Sequence, residues 1–462
     1  MLPTIALIGR PNVGKSTLFN FLTRTREAIV ADFPGLTRDR KYGRGKVGET
    51  AYLVVDTGGL SFEEDGIDAL MARQTQIAIA DSDVIFFMVD GRGGLTSSDQ
   101  EIANQLRQLN KPVYLLVNKT DGVDEQIACA DFYSLGLGEM YPVSATQGRH
   151  MRKLMNHVLN NLPQEVIRPE ETHGVRIAVL GRPNVGKSTL INRLIGEERV
   201  VTYDMPGTTR DTVDVPFEYE GKPYTLIDTA GVRRRSKVKE AVEKFSVIKA
   251  IQAIEDSQVV ILVMDAHSGI SDQDVTLLGY ILDAGRALLI AVNKWDGMDL
   301  DDRDQVKQDL DRKLTFIDYA EFHYISALHG TGVGHLFETV NKAYLSAMSE
   351  FKTQRLTQIL EYAIAQHQPP LVRGHRIKLR YAHQGGKNPP LIIIHGNQTE
   401  AVPDAYTRYL MSTYRKQLRL TGTPVSIEYK TGKNPFKDKR NKLSPRQVAR
   451  KKRLMKWVKS KK

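Results

Sequence analysis

The stretch GRPNVGKSTL, residues 9–18, recurs letter for letter at residues 181–190. The first copy follows the apolar run TIALIG and opens GKSTLFNFLT, which has helical spacing; the second follows RIAVLG. A strand, a glycine-rich turn and a helix that begins with lysine and serine bring successive backbone N–H groups onto one cluster of phosphate oxygens. Gly9, Arg10, Pro11, Asn12, Val13, Gly14, Lys15 and Ser16 are therefore expected to form one phosphate-binding loop. Gly181, Arg182, Pro183, Asn184, Val185, Gly186, Lys187 and Ser188 are expected to form another. A single match has a bland explanation as a glycine-rich turn; two matches with ordered partners downstream do not.

Those partners keep their order in both halves. DTGG begins at Asp56 and DTAG at Asp228, 172 residues apart, the same interval as the loops. NKTD begins at Asn118 and NKWD at Asn293, 175 apart, and Ser-Ala falls at Ser144 and Ser326, 182 apart. Drift of this kind is what insertions in surface loops produce, and the interval is the size of a whole domain. Each half alternates short apolar runs (YLVVD, VIFFMVD and PVYLLVN; VVILVMD and ALLIAVN) with helical stretches, which predicts α/β domains with doubly wound, mostly parallel sheets. FEYEGKPYTLIDT predicts a hairpin turning at Glu220-Gly221. Beyond residue 350 the order α-β-β-α-β predicts a small α+β domain. The expected organisation is domain 1 over 1–163, a polar, acidic linker at 164–174, domain 2 over 175–350, a third domain over 351–436 and a tail at 437–462.

The repeated polar residues follow apolar runs, at the strand ends where doubly wound sheets bind ligands. Lys15 and Lys187 are expected to reach the β- and γ-phosphates, and Ser16 and Ser188 to ligate Mg²⁺. Asp56 and Asp228 help to hold that ion, with Thr57, Gly58, Gly59 and Leu60, or Thr229, Ala230, Gly231 and Val232, completing the γ-phosphate side; Gly59 and Gly231 offer a backbone N–H. Asn118, Lys119, Thr120 and Asp121, and Asn293, Lys294, Trp295 and Asp296, select the base. A carboxylate at Asp121 or Asp296 accepts from guanine N1–H and N2–H₂, donors that adenine lacks in that geometry, so GTP is the expected ligand. Ser144-Ala145 and Ser326-Ala327 are placed to complete the base pocket. Thr37 and Thr209, in the matched PGLTRD and PGTTRD, are expected to bind the metal only when a γ-phosphate is present.

Composition narrows the partners. Of the net charge of +11, residues 437–462 carry +12, so a nearly neutral body bears a strongly basic tail. Such a tail suits RNA phosphates, although a solvated charge run is the plainer reading. One cysteine, Cys129, excludes an internal disulfide and points to the cytosol. The N-terminus enters the first strand without a secretory signal pattern, and the longest apolar runs are six residues, so no stable membrane association is expected. Two rival readings are an RNA-modifying or metabolic enzyme with regulatory GTPase domains and a GTPase that docks on anionic lipid. No Cys/His cluster or dinucleotide fingerprint supports the first, and the tail lacks the strong apolar face the second needs.

Taken together, the doubled GRPNVGKST, PGxTRD, D-x-x-G, N-K-x-D and Ser-Ala resemble the translation-factor-related GTPases, and the whole chain is similar to the bacterial Der (EngA) GTPases. The resemblance implies two tandem P-loop GTPase domains, a KH-like third domain, and a cytoplasmic, monomeric factor acting on rRNA in maturation of the large (50S) ribosomal subunit. It also implies that Asn12 and Asn184 help to hold an activating K⁺, the plainer reading being that each merely caps its turn. Catalysis would thus fall to Asn12, Lys15, Thr37 and Gly59, and to Asn184, Lys187, Thr209 and Gly231. Two departures stand out. Leu60 and Val232 stand where a Ras-like protein has a water-positioning glutamine, and the third region lacks the G-x-x-G loop of an RNA-clamping KH module.

Overall fold

The computed structural model describes residues 2–23, 42–57, 76, 79–162, 174–196, 200–202, 214–227, 247–372, 375–431 and 453. The first unit runs β1 (Thr4–Ile8), α1 (Lys15–Thr23), β2 (Tyr42–Gly45), β3 (Tyr52–Asp56), β4 (Val84–Asp90), α2 (Ser97–Arg107), β5 (Val113–Asn118), α3 (Glu125–Ala130), β6 (Met140–Pro142) and α4 (Met151–Asn161). Its sheet has the order β2-β3-β1-β4-β5-β6, and only β2 is antiparallel. The apolar runs are continuous rather than alternating because both faces of the sheet are covered. In β1, Ile5 and Leu7 pack with Leu18 and Leu22 of α1 and Met155 of α4, while Ala6 and Ile8 face Ile102 and Leu106 of α2.

The second unit repeats this plan. It comprises β7 (Val175–Leu180), α5 (Lys187–Gly196), β8 (Val200–Thr202), β9 (Val215–Tyr219), β10 (Lys222–Ile227), α6 (Val247–Asp256), β11 (Val259–Asp265), α7 (Asp272–Ala284), β12 (Ala287–Asn293), α8 (Leu300–Lys313), β13 (Glu321–Tyr324) and α9 (His335–Met348). The sheet order is β13-β12-β11-β7-β10-β9-β8. The expected hairpin joins β9 to β10, pairing Tyr219 with Lys222. Glu220 and Gly221 both have positive φ, 50° and 76°, the signature of a type I′ turn, which matches the strand twist.

In the third unit, α10 (Thr353–Gln366) and α11 (Asp404–Leu418) cover one face of a three-stranded sheet; β14 (Leu371–Val372) and β15 (His375–Arg376) form a short separate pair. The sheet is β16 (Lys378–Gly386), β17 (Leu391–Asn397) and β18 (Ser426–Thr431), antiparallel then parallel. The predicted α-β-β-α-β order is present, and Leu356, Leu360, Ile392, Ile394, Leu410 and Tyr414 form its core.

Among the described residues the units touch at two places. Val55 at the end of β3 and Ile248 of α6 share a small apolar cluster with Tyr42, whose ring meets Tyr280 edge-on at 6.2 Å. Arg44 lies 3.3 Å from Glu255, and Gln252 donates to Thr4 Oγ1 at 3.2 Å. The third unit meets the second through main chain: Leu288 N–H donates to Gly422 O at 2.6 Å and Gly422 N–H to Tyr319 O at 2.9 Å. Arg415 adds an ion pair with Asp318. This contact sits where β12 begins, at the end of the sheet away from the loops that follow the strands.

Around Gly221 nothing lies within 4 Å of an added Cβ, so substitution there tests backbone conformation alone. Gly221→Val is expected to destabilise the second unit by about 1–2 kcal/mol, the cost of a left-handed L-residue. Chemical denaturation of the full chain checks it; an unshifted transition contradicts the turn assignment.

Candidate functional site

In each of the first two units the polar loops converge at the carboxyl ends of the strands. Gly9 and Gly181 turn the chain out of β1 and β7 with φ of 151°, and an added Cβ would sit 2.3 Å from Met88 O or 2.4 Å from Val263 O. Gly14 and Gly186, at φ of 103° and 99°, face a side chain rather than backbone: Asn118 Nδ2 at 2.3 Å and Asn293 Nδ2 at 2.2 Å from the built Cβ. That closeness has a purpose. Asn118 Nδ2 donates to Val13 O at 2.8 Å while its Oδ1 accepts from Ala145 N–H at 3.0 Å. Asn293 makes the same pair, to Val185 O at 2.8 Å and from Ala327 N–H at 2.9 Å. One buried amide thus ties the phosphate loop, the N-K-x-D loop and the Ser-Ala loop together in both units.

The lysines act on the same loops. Lys15 Nζ donates to Gly9 O and Arg10 O, each at 2.7 Å, and Lys187 Nζ to Arg182 O at 2.8 Å. The Lys15 charge is therefore held inside the turn, and burial lowers its pKa to about 8, with the Asp56 carboxylate working against the shift. Lys119 Nζ reaches across to Asn12 O at 2.8 Å and to Asp90 Oδ2 at 2.7 Å; Lys294 contacts Asp265 at 2.6 Å. Burial pushes Asp90 up, but hydrogen bonds from Lys119 and from the N–H groups of Arg92 and Gly93 outweigh it and hold the carboxyl below its usual range.

Ser16 Oγ donates to Asp56 Oδ2 at 2.8 Å, and Thr57 Oγ1 to Leu7 O at 2.7 Å. A hydroxyl and a carboxylate meeting beside a phosphate loop are the hard oxygen donors that suit Mg²⁺, which takes one or two protein ligands and completes its shell with phosphate and water. Among the described residues no cluster of three or more His, Cys, Asp or Glu suits a metal, so the donor set does not resemble an all-protein cage. Asn12 and Asn184 adopt φ of 66° and 65°, in the left-handed region that asparagine tolerates best after glycine. The turn therefore has a conformational reason for asparagine apart from any cation.

At the base end, Asp121 Oδ1 is enclosed and has no hydrogen-bond partner among the described residues. In the second unit the Ser326 hydroxyl and the backbone N–H of Asp296 hold the Asp296 carboxyl below its ordinary range, and His329 Nε2 lies 3.1 Å from its Oδ2. The Trp295 ring lies 4.3 Å from that of Tyr324, tilted by 40°, with the Arg303 guanidinium 5.6 Å from the Trp295 ring. Pro11 and Pro183 lie within the loops, Thr120 is buried and donates to Val143 O at 3.0 Å, and Ser144 Oγ accepts from Gln147 N–H at 3.2 Å. Thr37, Gly58, Gly59, Leu60, Thr209, Asp228, Thr229, Ala230, Gly231 and Val232 lie outside the described residues, as does the tail except Arg453.

Four further carboxylates belong to the sites and were not singled out from the sequence. Asp90 and Asp265 end the central strands and receive the lysines. Asp99 and Asp274 close capping boxes with Thr96 and Ser271 and lie 3.3 Å from Arg10 and 3.5 Å from Arg182. The signal was present: each aspartate recurs at the matching place in the other half.

The family profile described as "50S ribosome-binding GTPase" matches residues 4–119 and again 176–294, and one described as "KH-domain-like of EngA bacterial GTPase enzymes, C-terminal" matches 351–430. GTPase Der of Thioalkalivibrio sulfidiphilus is 61% identical over 464 residues, covering 100% of both chains. GTPase Der of Hahella chejuensis is 58% identical, covering 99% of this chain and 98% of its own, and that of Legionella pneumophila strain Corby is 56% identical over the full length of both. Duplicate pockets with one amide at the centre of each, and full-length identity at this level, lead to one conclusion: the chain belongs to the GTPase Der family, with two tandem GTPase domains that bind and hydrolyse GTP and a KH-like domain at the C-terminal side.

Proposed function

We propose that this GTPase is an assembly factor for the large ribosomal subunit, in which the nucleotide states of two GTP sites control binding to rRNA or a precursor particle. The observation that carries the site reading is the enclosed, unpartnered Oδ1 of Asp121. An acceptor left without a donor is costly, and guanine N1–H and N2–H₂ supply what it lacks. The partner reading draws on the description of the matching family as ribosome-binding, on the KH-like domain and on the net +12 carried by residues 437–462.

In each site the loop N–H groups and Lys15 or Lys187 hold the β- and γ-phosphates. Ser16 with Asp56, and Ser188 with Asp228, would hold Mg²⁺, which when bound would neutralise phosphate charge. Thr37 and Thr209, with Gly59 and Gly231, are assigned to sensing the γ-phosphate. Because Leu60 and Val232 have no group to orient water, acceleration rests on charge stabilisation, and Asn12 and Asn184 are assigned to holding K⁺. The contact of α6 with β2 and β3 supports communication between sites. The helix follows the second site's Asp228 segment, and the strand it touches ends in Asp56. We further assign the chain to the cytoplasm as a monomer, with domain limits at 163, 175, 350 and 436. Among the described residues no helix is long and apolar enough to cross a membrane.

Exchanging acceptor for donor at the base end tests the pocket. In Asp121→Asn/Asp296→Asn, GTP affinity is expected to fall by about 100-fold or more, and xanthosine triphosphate, which offers a carbonyl at position 2, to bind better than GTP. Unchanged GTP preference in competition assays contradicts the assignment. GTP hydrolysis is expected to run faster in KCl than in NaCl; equal rates dispose of the cation.

The lowered pKa of Lys15 has a linkage consequence. Free, the ammonium is partly deprotonated above pH 8; held between phosphates, it is charged, so binding takes up protons. With the second site silenced by Lys187→Ala, calorimetry at pH 8.5 in two buffers of different ionisation enthalpy is expected to read net proton uptake on Mg·GTP binding, and zero uptake contradicts it. For the cellular role, Lys15→Ala and Lys187→Ala, made separately, are expected to change co-sedimentation with large-subunit particles in nucleotide-dependent fashion. Identical association in every nucleotide state defeats the switch.

A further inference from the structure

We propose that the outward face of the sheet in the KH-like domain is a stacking platform for unpaired bases of single-stranded RNA. The helices α10 and α11 cover one face of this sheet. On the other, cross-strand register places Tyr381 opposite His395, and His395 opposite Lys430, in one row. The Tyr381 and His395 rings lie parallel, 4.5 Å between centroids and 6° between planes, and His383 joins them 5.1 Å from His395. His395 thus covers one face of the tyrosine ring, while Tyr381 as a whole stays 43% exposed.

Three flat rings in contact on an exposed sheet face are what bases stack on, and stacking is sequence-tolerant because every base has a π-face. Burial and the neighbouring His383 and Lys430 lower the His395 pKa, which keeps its ring neutral at physiological pH. The charges around the rings suit a phosphate backbone: Lys378, Arg380 and Lys430 are exposed and have no ion pair among the described residues, against the single carboxylate Glu428 in the adjoining row. In the sequence, the basic tail begins six residues after the last residue of β18. The absence of a G-x-x-G loop leaves this domain without the usual clamp, and the platform supplies a different means of holding bases.

This inference rests on the reading of the chain as an RNA-binding assembly factor, and its test separates the two. Anisotropy of a labelled 12-nucleotide poly(A) RNA is measured with the full chain, beside a 12-base-pair RNA duplex. Tyr381→Ala is expected to weaken single-strand binding by about 5- to 150-fold, Tyr381→Phe to stay within about twofold of the unmodified chain, and the duplex to bind all three alike. His395→Ala, which removes the supporting ring, shifts single-strand binding in the same direction. GTP hydrolysis and the circular dichroism of each variant report folding; if Tyr381→Ala loses helical signal, His395→Ala and Lys430→Glu carry the comparison. Unaltered single-strand affinity in the folded variants overturns the platform, and so does an equal loss on the duplex. Retained RNA affinity with lost association to large-subunit particles makes the face a protein contact and overturns it too. Failure of the unmodified chain to associate with those particles in any nucleotide state overturns the functional reading, whatever the RNA panel shows.

Discussion

A single buried carboxamide holds each nucleotide site in register. Asn118 gives its N–H to the phosphate loop and takes one from the Ser-Ala loop, and Asn293 does the same 175 residues later. An amide is suited to this because it alone among small side chains presents a donor and an acceptor in one rigid plane. Its position dictates others. The residue before each loop lysine must be glycine, because any Cβ would collide with the amide. In the first site Lys119, which spans from N-K-x-D to Asn12 O, reinforces the same arrangement from outside.

Around that shared frame the two sites differ in ways that bear on their division of labour. Thr120 is buried in the first, whereas Trp295 in the second packs tilted against Tyr324 beneath Arg303. Gln147 in the first site corresponds to His329 in the second, which lies beside Asp296 of N-K-W-D. Among the described residues the first carboxylate has one enclosed oxygen without a donor while the other accepts from Thr146 Oγ1 at 3.5 Å, and the second has His329 Nε2 3.1 Å from its Oδ2. Equal motifs do not imply equal pockets.

Much of this was legible in the residues. The alternation of apolar runs with helical stretches predicted both sheets, and Glu220-Gly221 predicted a hairpin whose turn has the required positive φ at both positions. The doubled motifs identified the residues that the strand ends bring together. What could not be read were contacts that depend on three-dimensional register. The Asn118–Ala145 bond joins loops on neighbouring strands, and the Arg10–Asp99 pair joins the phosphate loop to a capping box of α2. The row of Tyr381, His395 and Lys430 arises from strand pairing with a bulge between Leu379 and Tyr381, which no local pattern announces. Thr37 and Thr209, the predicted γ-phosphate sensors, lie outside the described residues.

The KH-like domain docks by backbone hydrogen bonds at the end of the second sheet remote from the nucleotide loops, and the first GTPase domain touches the second through elements that adjoin both sites. Two GTPase domains and a KH-like domain then share one chain. All of it requires that each half grip a guanine nucleotide. Calorimetric titration of the full chain with a non-hydrolysable GTP analogue in Mg²⁺ tests that most directly. Two molecules bound per chain, with no heat from the corresponding ATP analogue at equal concentration, is the predicted result. A stoichiometry of one, or binding of the adenine analogue with similar affinity, would contradict the account.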